Sequence, residues 1–183
     1  MQDRSLSPQE KWILLGIPVL FLLGSGMHFL FHLSGNHPVI GLLAPVNESV
    51  WEHEKLMVWP VLLWWVVYGF LMKENLDFGK WMKSGLLALV AAVAVMPLLY
   101  YFYTEAFGTE LLWADILILL ISLAIGQLLG LHSYRHGKSI PVRYTFTTML
   151  LLVLLFMIFT FFPPALPLFQ DGVTGGYGIP PRI

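Results

Sequence analysis

The segment NESVWEHEK, residues 47–55, combines residue types that bind metals and move protons. Glu48 and Glu52 are four residues apart, and the imidazole of His53 follows them directly. Carboxylates at this spacing on a helix repel each other by about 0.2–0.5 kcal/mol unless a cation or a proton lies between them. Imidazole and carboxylate together suit zinc, manganese or iron. The segment therefore predicts a site for a divalent cation and, with it, acid–base chemistry.

Other apolar stretches of the chain supply further ligand candidates. His28 and His32 are four residues apart, so one helix would present both imidazoles on the same face. The predicted ligands, with Glu52 and His53 as alternatives to each other, are His28, His32, Glu52, His53 and Asp115. A metal held there would lower the pKa of a bound water toward about 7, and Glu48 is the predicted general base.

The same residues also admit purely structural roles. Ser49 and Glu52 fit the S-x-x-E capping box, in which two side chains satisfy free amides at the start of a helix. Lys55, three residues after Glu52, could pair with it. The histidines could be hydrogen-bonded groups at a membrane interface, and Asp115 could pair with one of them.

The composition indicates that a membrane surrounds the elements carrying these groups. Of the 183 residues, 57% are hydrophobic and 11% are charged, whereas soluble domains carry about 25% charged residues. The net charge of −1 provides no field that would recruit nucleic acid, so no such partner is expected. The absence of cysteine excludes disulfides and thiolate metal sites.

Five apolar stretches have about the length of a transmembrane helix, which needs roughly 20 residues. They lie at about residues 12–33, 49–72, 85–102, 111–131 and 144–162. In lipid the backbone must satisfy its own hydrogen bonds, and runs this long do so as helices. We therefore predict an all-α integral membrane protein with one bundle of five transmembrane helices over residues 1–162.

The distribution of basic residues predicts the orientation of this bundle. All but two of the ten lysines and arginines, Lys55 and Arg182, fall on the side of the N-terminus. By the positive-inside rule the N-terminus is cytoplasmic and the C-terminus is outside. All candidate site residues then face the outer side of the membrane.

Two pairs of small residues predict close helix packing. Gly126 and Gly130, and also Ala88 and Ala92, are spaced so that another helix can approach their backbone. Packing within the chain is the favoured interpretation, with a homo-oligomer contact as the alternative.

The C-terminal residues 163–183 contain too many prolines and glycines for a helix, but they also contain apolar anchors such as Leu168 and Phe169. We predict an ordered outer tail that folds back as a lid over the site. Its Asp171 and Tyr177, with Asn47 and Trp51 of the first motif, are the predicted substrate-binding residues.

The segments APVNESVWEHEKL at 44–56 and PPALPLFQDGVTGGYGI at 163–179 carry a resemblance to a known family. The chain resembles an uncharacterised family of small bacterial multi-spanning membrane proteins with an NES-x-WEH-x-K motif and a C-terminal PLF…D…G-x-YGI motif. The likeness covers essentially the full chain. It implies location in a bacterial plasma membrane and implies no reaction.

These observations favour a metal-dependent membrane hydrolase or transferase that acts on a lipid or lipid-linked substrate at the outer face. Below Asp115 the fourth span carries only Ser122 and Gln127 as polar side chains apart from its histidine-rich end, which is a thin path for transport. A small cation- or proton-coupled transporter or solute-binding protein nevertheless stays an alternative. A non-catalytic membrane partner is the third.

Overall fold

The computed structural model describes residues 5–180, and these residues are mostly helical. The α-helices are α1 (Pro8–Met27), α2 (Leu30–Leu33), α3 (Pro38–Gly41), α4 (Val50–Leu71), α5 (Phe78–Phe107), α6 (Leu112–His136) and α7 (Val142–Phe161). Short 3₁₀ helices cover Lys73–Asn75 and Pro167–Phe169. Within residues 5–180 there is no strand, only an isolated antiparallel bridge between Gln170 and Tyr177.

Five of these helices, α1, α4, α5, α6 and α7, are long and apolar enough to cross a membrane. The predicted all-α fold with five spans is confirmed. Helix α5 has 30 residues, or about 45 Å at 1.5 Å per residue, and so exceeds the roughly 30 Å of hydrocarbon. Its excess length lies beyond the apolar stretch predicted at 85–102.

Four of the long helices form a ring. Helix α1 packs against α4 and α6, helix α5 packs against the same two, and α7 lies on α5. A Cβ atom at Gly126 would lie 2.5 Å from the carbonyl oxygen of Ala88, and one at Gly130 would lie 2.9 Å from the Ala88 Cβ atom. The two small-residue pairs therefore pack on each other within the chain, which confirms the favoured interpretation of both.

The two ends of the bundle differ in composition. We call the end formed by residues 28–49, 108–111 and 163–180 the motif end, and the opposite end the basic end. The described basic residues at the basic end are Lys11, Lys73, Lys80, Lys83, Arg135, Lys138 and Arg143. Arg4 and Arg182, which also entered the orientation argument, lie outside the described residues. Which end faces the cytoplasm stays a prediction.

The first span differs from its prediction at the motif end. Helix α1 stops at Met27, and the Phe29 amide donates to Gly26 in a tighter turn before α2 begins. The sequence Gly24-Ser25-Gly26 explains this stop, because glycine and serine are poor helix formers. The prediction that His28 and His32 share one face of a continuous helix is therefore wrong.

Candidate metal centre

Two hydrogen bonds between neighbouring residues around Ser49 fix the start of α4. The Ser49 hydroxyl oxygen accepts from the Glu52 amide at 3.2 Å, and the Asn47 side-chain oxygen accepts from the Ser49 amide at 2.9 Å. Because Asn47 satisfies the Ser49 amide, the Glu52 carboxylate is not needed for the second half of a capping box. Asn47, predicted to bind substrate, thus orients the loop that carries Glu48.

Glu52 belongs to a buried ion pair. Its Oε2 atom lies 2.5 Å from Nζ of Lys55, and the two side chains are 3% and 0% exposed. The same oxygen accepts from the Val46 amide at 3.0 Å, and Lys55 donates to the Gly41 carbonyl at 2.7 Å. Glu52 therefore ties the loop after α3 to α4, in the pairing with Lys55 that the sequence left open as an alternative to metal binding.

His28, Glu48 and His53 form the cluster that most resembles a metal site. The Glu48 Oε2 atom lies 3.3 Å from Nε2 of His53, and Oε1 lies 3.9 Å from Nε2 of His28. One ligand atom from each residue lies within 4.8 Å of the others. Two histidines and a glutamate are a ligand set of catalytic zinc, which keeps a fourth position for water or substrate.

A close contact between α1 and α4 brings His28 into this cluster. A Cβ atom at Gly24 would lie only 2.5 Å from the backbone oxygen of Leu56, so only glycine allows this approach. One turn beyond the contact on each helix, the imidazoles of His28 and His53 stack with centroids 5.3 Å apart and planes at 26°. Glycine at position 24 thus supports the geometry of the site.

The second nitrogen of His53 has its own partner. Nδ1 lies 2.9 Å from the Ser49 carbonyl oxygen, to which it donates. Nε2 then faces the Glu48 carboxylate, to which it donates when it carries a proton, and a metal ion would take the place of that proton. Such a carbonyl partner is typical of metal-ligating histidines, because it fixes both the tautomer and the ring orientation.

The protonation states of the cluster residues that lie outside the spans also suit a metal. Burial lowers the pKa of the His28 imidazole, although the Glu48 carboxylate partly opposes this effect. Contact with His53 lowers the pKa of the Glu48 carboxyl despite its partial burial. Near neutral pH we therefore expect a neutral His28 and an ionised Glu48, which are the forms that bind metals.

The remaining predicted ligands lie outside the cluster. His32 is exposed in α2, with its ring against that of Phe31. Asp115 accepts a hydrogen bond from the Tyr103 hydroxyl at 2.6 Å and is close enough to interact electrostatically with His53. Asp115 is therefore a neighbouring carboxylate rather than a member of the cluster.

The C-terminal tail joins the NESVWEHEK segment through Asp171. Its Oδ1 atom accepts from the amides of Glu48 at 3.1 Å and Val173 at 3.3 Å, and its Oδ2 atom accepts from the hydroxyl of Thr174. Burial alone would raise the pKa of Asp171, but these hydrogen bonds lower it overall. The tail is thus ordered, and Asp171 holds the backbone of a cluster residue.

A second hydrogen bond holds the end of the tail. The Asn47 side-chain nitrogen donates to the Gly178 carbonyl at 2.9 Å. Gly178 has φ of 69°, which only glycine adopts readily. The two sequence motifs that carry the family resemblance therefore meet in space.

Two of the predicted substrate-binding residues have different surroundings. Trp51 is 7% exposed, and its ring stacks on Phe156 of α7 at 4.2 Å and packs on Phe169 of the tail at 4.8 Å. It anchors the tail to the bundle. Tyr177 is exposed, and its backbone pairs with Gln170.

A cavity of about 560 Å³ adjoins the cluster. Glu48, Val50 and Asp171 line it on one side, and residues from the end of α5 and the turn before α6 line it on the other. The lining residues of this second side include Tyr100, Tyr101, Thr104, Glu105 and Glu110. Sequence reasoning missed both tyrosines, although the polar and aromatic run YYFYTE marked a change in an otherwise apolar span.

Comparison with known proteins identifies a family but indicates no activity. A family of unknown function, DUF6512, matches residues 1–179. No curated protein and no solved structure matches the chain.

Proposed function

Because the chain belongs to DUF6512, a family of unknown function, we propose its function from its own geometry. We propose that it is a metal-dependent membrane hydrolase or transferase that acts on a lipid or lipid-linked substrate. The motif end would face the outer side of a bacterial plasma membrane, as the basic residues at the opposite end favour.

The convergence of His28, Glu48 and His53 carries this proposal. Three ligand atoms within 4.8 Å of one another come from three separate parts of the chain, which are the end of α1, the loop before α4 and α4 itself. His53, in the first turn of the spanning helix α4, is an ionisable residue of the kind that usually marks a functional site in membrane proteins, and the other two residues contact it. The hydrogen bond from His53 to Ser49 further favours ligation through Nε2.

The cluster assigns a role to each of its members. His28 and His53 would bind zinc, manganese or iron through Nε2, and Glu48 would bind through one carboxylate oxygen. When bound, the metal would lower the pKa of a water and polarise a carbonyl or phosphoryl oxygen of the substrate. The second oxygen of Glu48, whose side chain is 41% exposed, would accept the proton of that water.

The surroundings of the cavity support a substrate from the bilayer. The helix ends that flank the turn between α5 and α6 expose large apolar side chains next to the polar lining. These side chains are Phe107, Leu112 and Trp113, which are 73%, 77% and 65% exposed. A lipid could keep its chains among such side chains while its headgroup reaches Glu48. The tail, which Asp171 and Trp51 hold beside this cavity, would limit the access of water.

Elemental analysis of the detergent-purified protein tests the proposal. We expect about one zinc, manganese or iron ion per chain in the parent and a loss of most of it in His28→Ala and His53→Ala. His32→Ala is the matched control, since His32 is exposed at the same end and lies outside the cluster. A parent without metal after supplementation would overturn the proposal, and so would retention in His28→Ala and His53→Ala that equals retention in the parent.

A further inference from the structure

Glu54 is a buried carboxyl group without a partner. Its side chain is 2% exposed, and its Oε2 atom has no hydrogen-bond partner. No ion pair found among residues 5–180 includes it, whereas Glu52, two residues earlier, has Lys55. An uncompensated charge in the interior of a membrane protein is unfavourable by several kcal/mol. Glu54 therefore carries a proton or receives a cationic group.

Glu54 is not one of the residues that line the cavity, but two observations indicate that it lies behind them. Val50, one helical turn earlier on the same face of α4, lines the cavity. Tyr101 of α5 also lines it and is close enough to Glu54 for the two side chains to interact electrostatically. A group at the floor of the cavity would thus lie near the Glu54 carboxyl.

The lining of the cavity has an unbalanced charge. It contains four carboxylate residues, namely Glu48, Glu105, Glu110 and Asp171, and none of its described lining residues is lysine, arginine or histidine. This lining disfavours a ligand whose leading group is an anion. The rings of Tyr100 and Tyr101 add faces that attract cations through the aromatic quadrupole.

We propose that the cavity and Glu54 form a binding site for an organic cation, the ammonium group of a lipid headgroup or of a free amine. Tyr101 would receive the ammonium at the floor of the cavity, the buried Glu54 carboxylate would attract it from behind the lining residues, and the remainder of the ligand would extend toward Glu48. The identification of this cation as the substrate rests on the proposed function. Binding of the cation itself requires no metal.

Native mass spectrometry of the detergent-purified protein, treated with EDTA, tests this site. The probes are phosphatidylcholine and phosphatidylglycerol with identical acyl chains, offered in equal amounts. We expect the parent to retain phosphatidylcholine over phosphatidylglycerol by about threefold or more, and Glu54→Gln to lose this preference. Glu74→Gln is the matched control, because Glu74 lies in the 3₁₀ helix at the basic end and should keep the preference of the parent.

A second arm distinguishes the source of the cation. Free choline that displaces phosphatidylcholine indicates a site for the ammonium group itself, and choline that binds alone with the same dependence on Glu54 indicates a soluble amine. Either result supports the proposal. Equal retention of the two lipids by the parent without choline binding, or an unchanged preference in a folded Glu54→Gln variant, would overturn it. Since metal is absent throughout, failure of the metal proposal would leave this result unaffected, and the reverse also holds.

Discussion

The two ends of the bundle use charged residues in different ways. At the basic end, the amino groups of Lys80 and Lys83 donate to the main-chain carbonyls of Arg135 and Lys138. Asp77 there caps α5 by accepting from the Lys80 amide. One ion pair, between Glu10 and Arg135 at 2.6 Å, also lies at the basic end. At the motif end, by contrast, three ionisable side chains, those of His28, Glu48 and His53, face one another.

Charged residues at the basic end mainly satisfy free backbone groups at helix ends, whereas those at the motif end could bind a ligand. Free carbonyls at a helix C-terminus attract cations, and free amides at an N-terminus attract carboxylates, in any helical protein. A carboxylate whose two oxygens face two imidazoles, as in Glu48, does not follow from helix capping. The motif end is therefore the end where changes should alter binding as well as stability.

The largest expected effect comes from breaking the buried ion pair of the motif end. Lys55→Met leaves the Glu52 carboxylate uncompensated, and we expect the free energy of unfolding to fall by about 3–5 kcal/mol. Denaturant titration in detergent micelles measures this loss. Lys80→Met is the control from the basic end, where an exposed amino group should matter little. Equal losses in both variants would contradict the contrast between the two ends.

The close contact between α1 and α4 should support both the stability of the protein and the geometry of the site. Gly24→Ala places a Cβ atom 2.5 Å from the Leu56 carbonyl oxygen, and we expect a loss of about 1–3 kcal/mol in the free energy of unfolding. Since the helices must separate, His28 should also leave the cluster and bound metal should be lost. Gly26→Ala is the control, because nothing lies within 4 Å of its added Cβ atom. Metal retention by a folded Gly24→Ala variant would show that the close approach is unnecessary.

The attachment of the tail to the bundle should depend on Asp171. Asp171→Asn weakens the hydrogen bonds to Glu48, Val173 and Thr174 at once, and we expect about 1–2 kcal/mol of local destabilisation. Faster proteolytic cleavage after residue 162 in the folded protein reports this opening. Asp77→Asn at the basic end should leave that rate unchanged. A tail equally resistant in both variants would count against Asp171 as its main attachment.

The smallest expected effect is the dependence of metal retention on pH. Protons compete with the metal for His28 and Glu48, so lowering the pH releases metal. Because His53 is a third ligand and an imidazole, retention should fall as the pH is lowered through the ordinary histidine range around 6.5, while the Glu48 carboxyl, whose pKa is lowered by His53, stays ionised. Equilibrium dialysis across a pH series measures the midpoint. Retention that is unchanged down to about pH 4 would contradict ligation of the metal by two imidazoles.

The sequence predicted the fold because span length and apolar composition are nearly sufficient in a membrane. The end of α1 was missed, because Gly24-Ser25-Gly26 weakens the last turn of the helix within an apolar run, and the helix ends at Met27. That interruption separates His32 from the site while leaving His28 in it.

The choice among the three carboxylates of NESVWEHEK could not be made from spacing alone. Glu48 lies before the first residue of α4, whereas Glu52 and Glu54 project from different sides of the helix. Glu48 has a partner from a distant part of the chain, His28, whereas the partners of Glu52 are the nearby Lys55 and the Val46 amide. Only the packed structure shows that Glu54 is the carboxylate left without one.

X-ray absorption spectroscopy at the zinc edge of the zinc-loaded protein tests the central claim most directly. We predict two imidazole nitrogens at about 2.0–2.1 Å together with oxygen ligands and no sulfur. Zinc that His28→Ala still binds at saturating zinc should have one imidazole fewer, and His32→Ala should keep both. Failure to retain zinc, or a spectrum that His28→Ala leaves unchanged, would contradict the assignment of the cluster of His28, Glu48 and His53 as a metal centre.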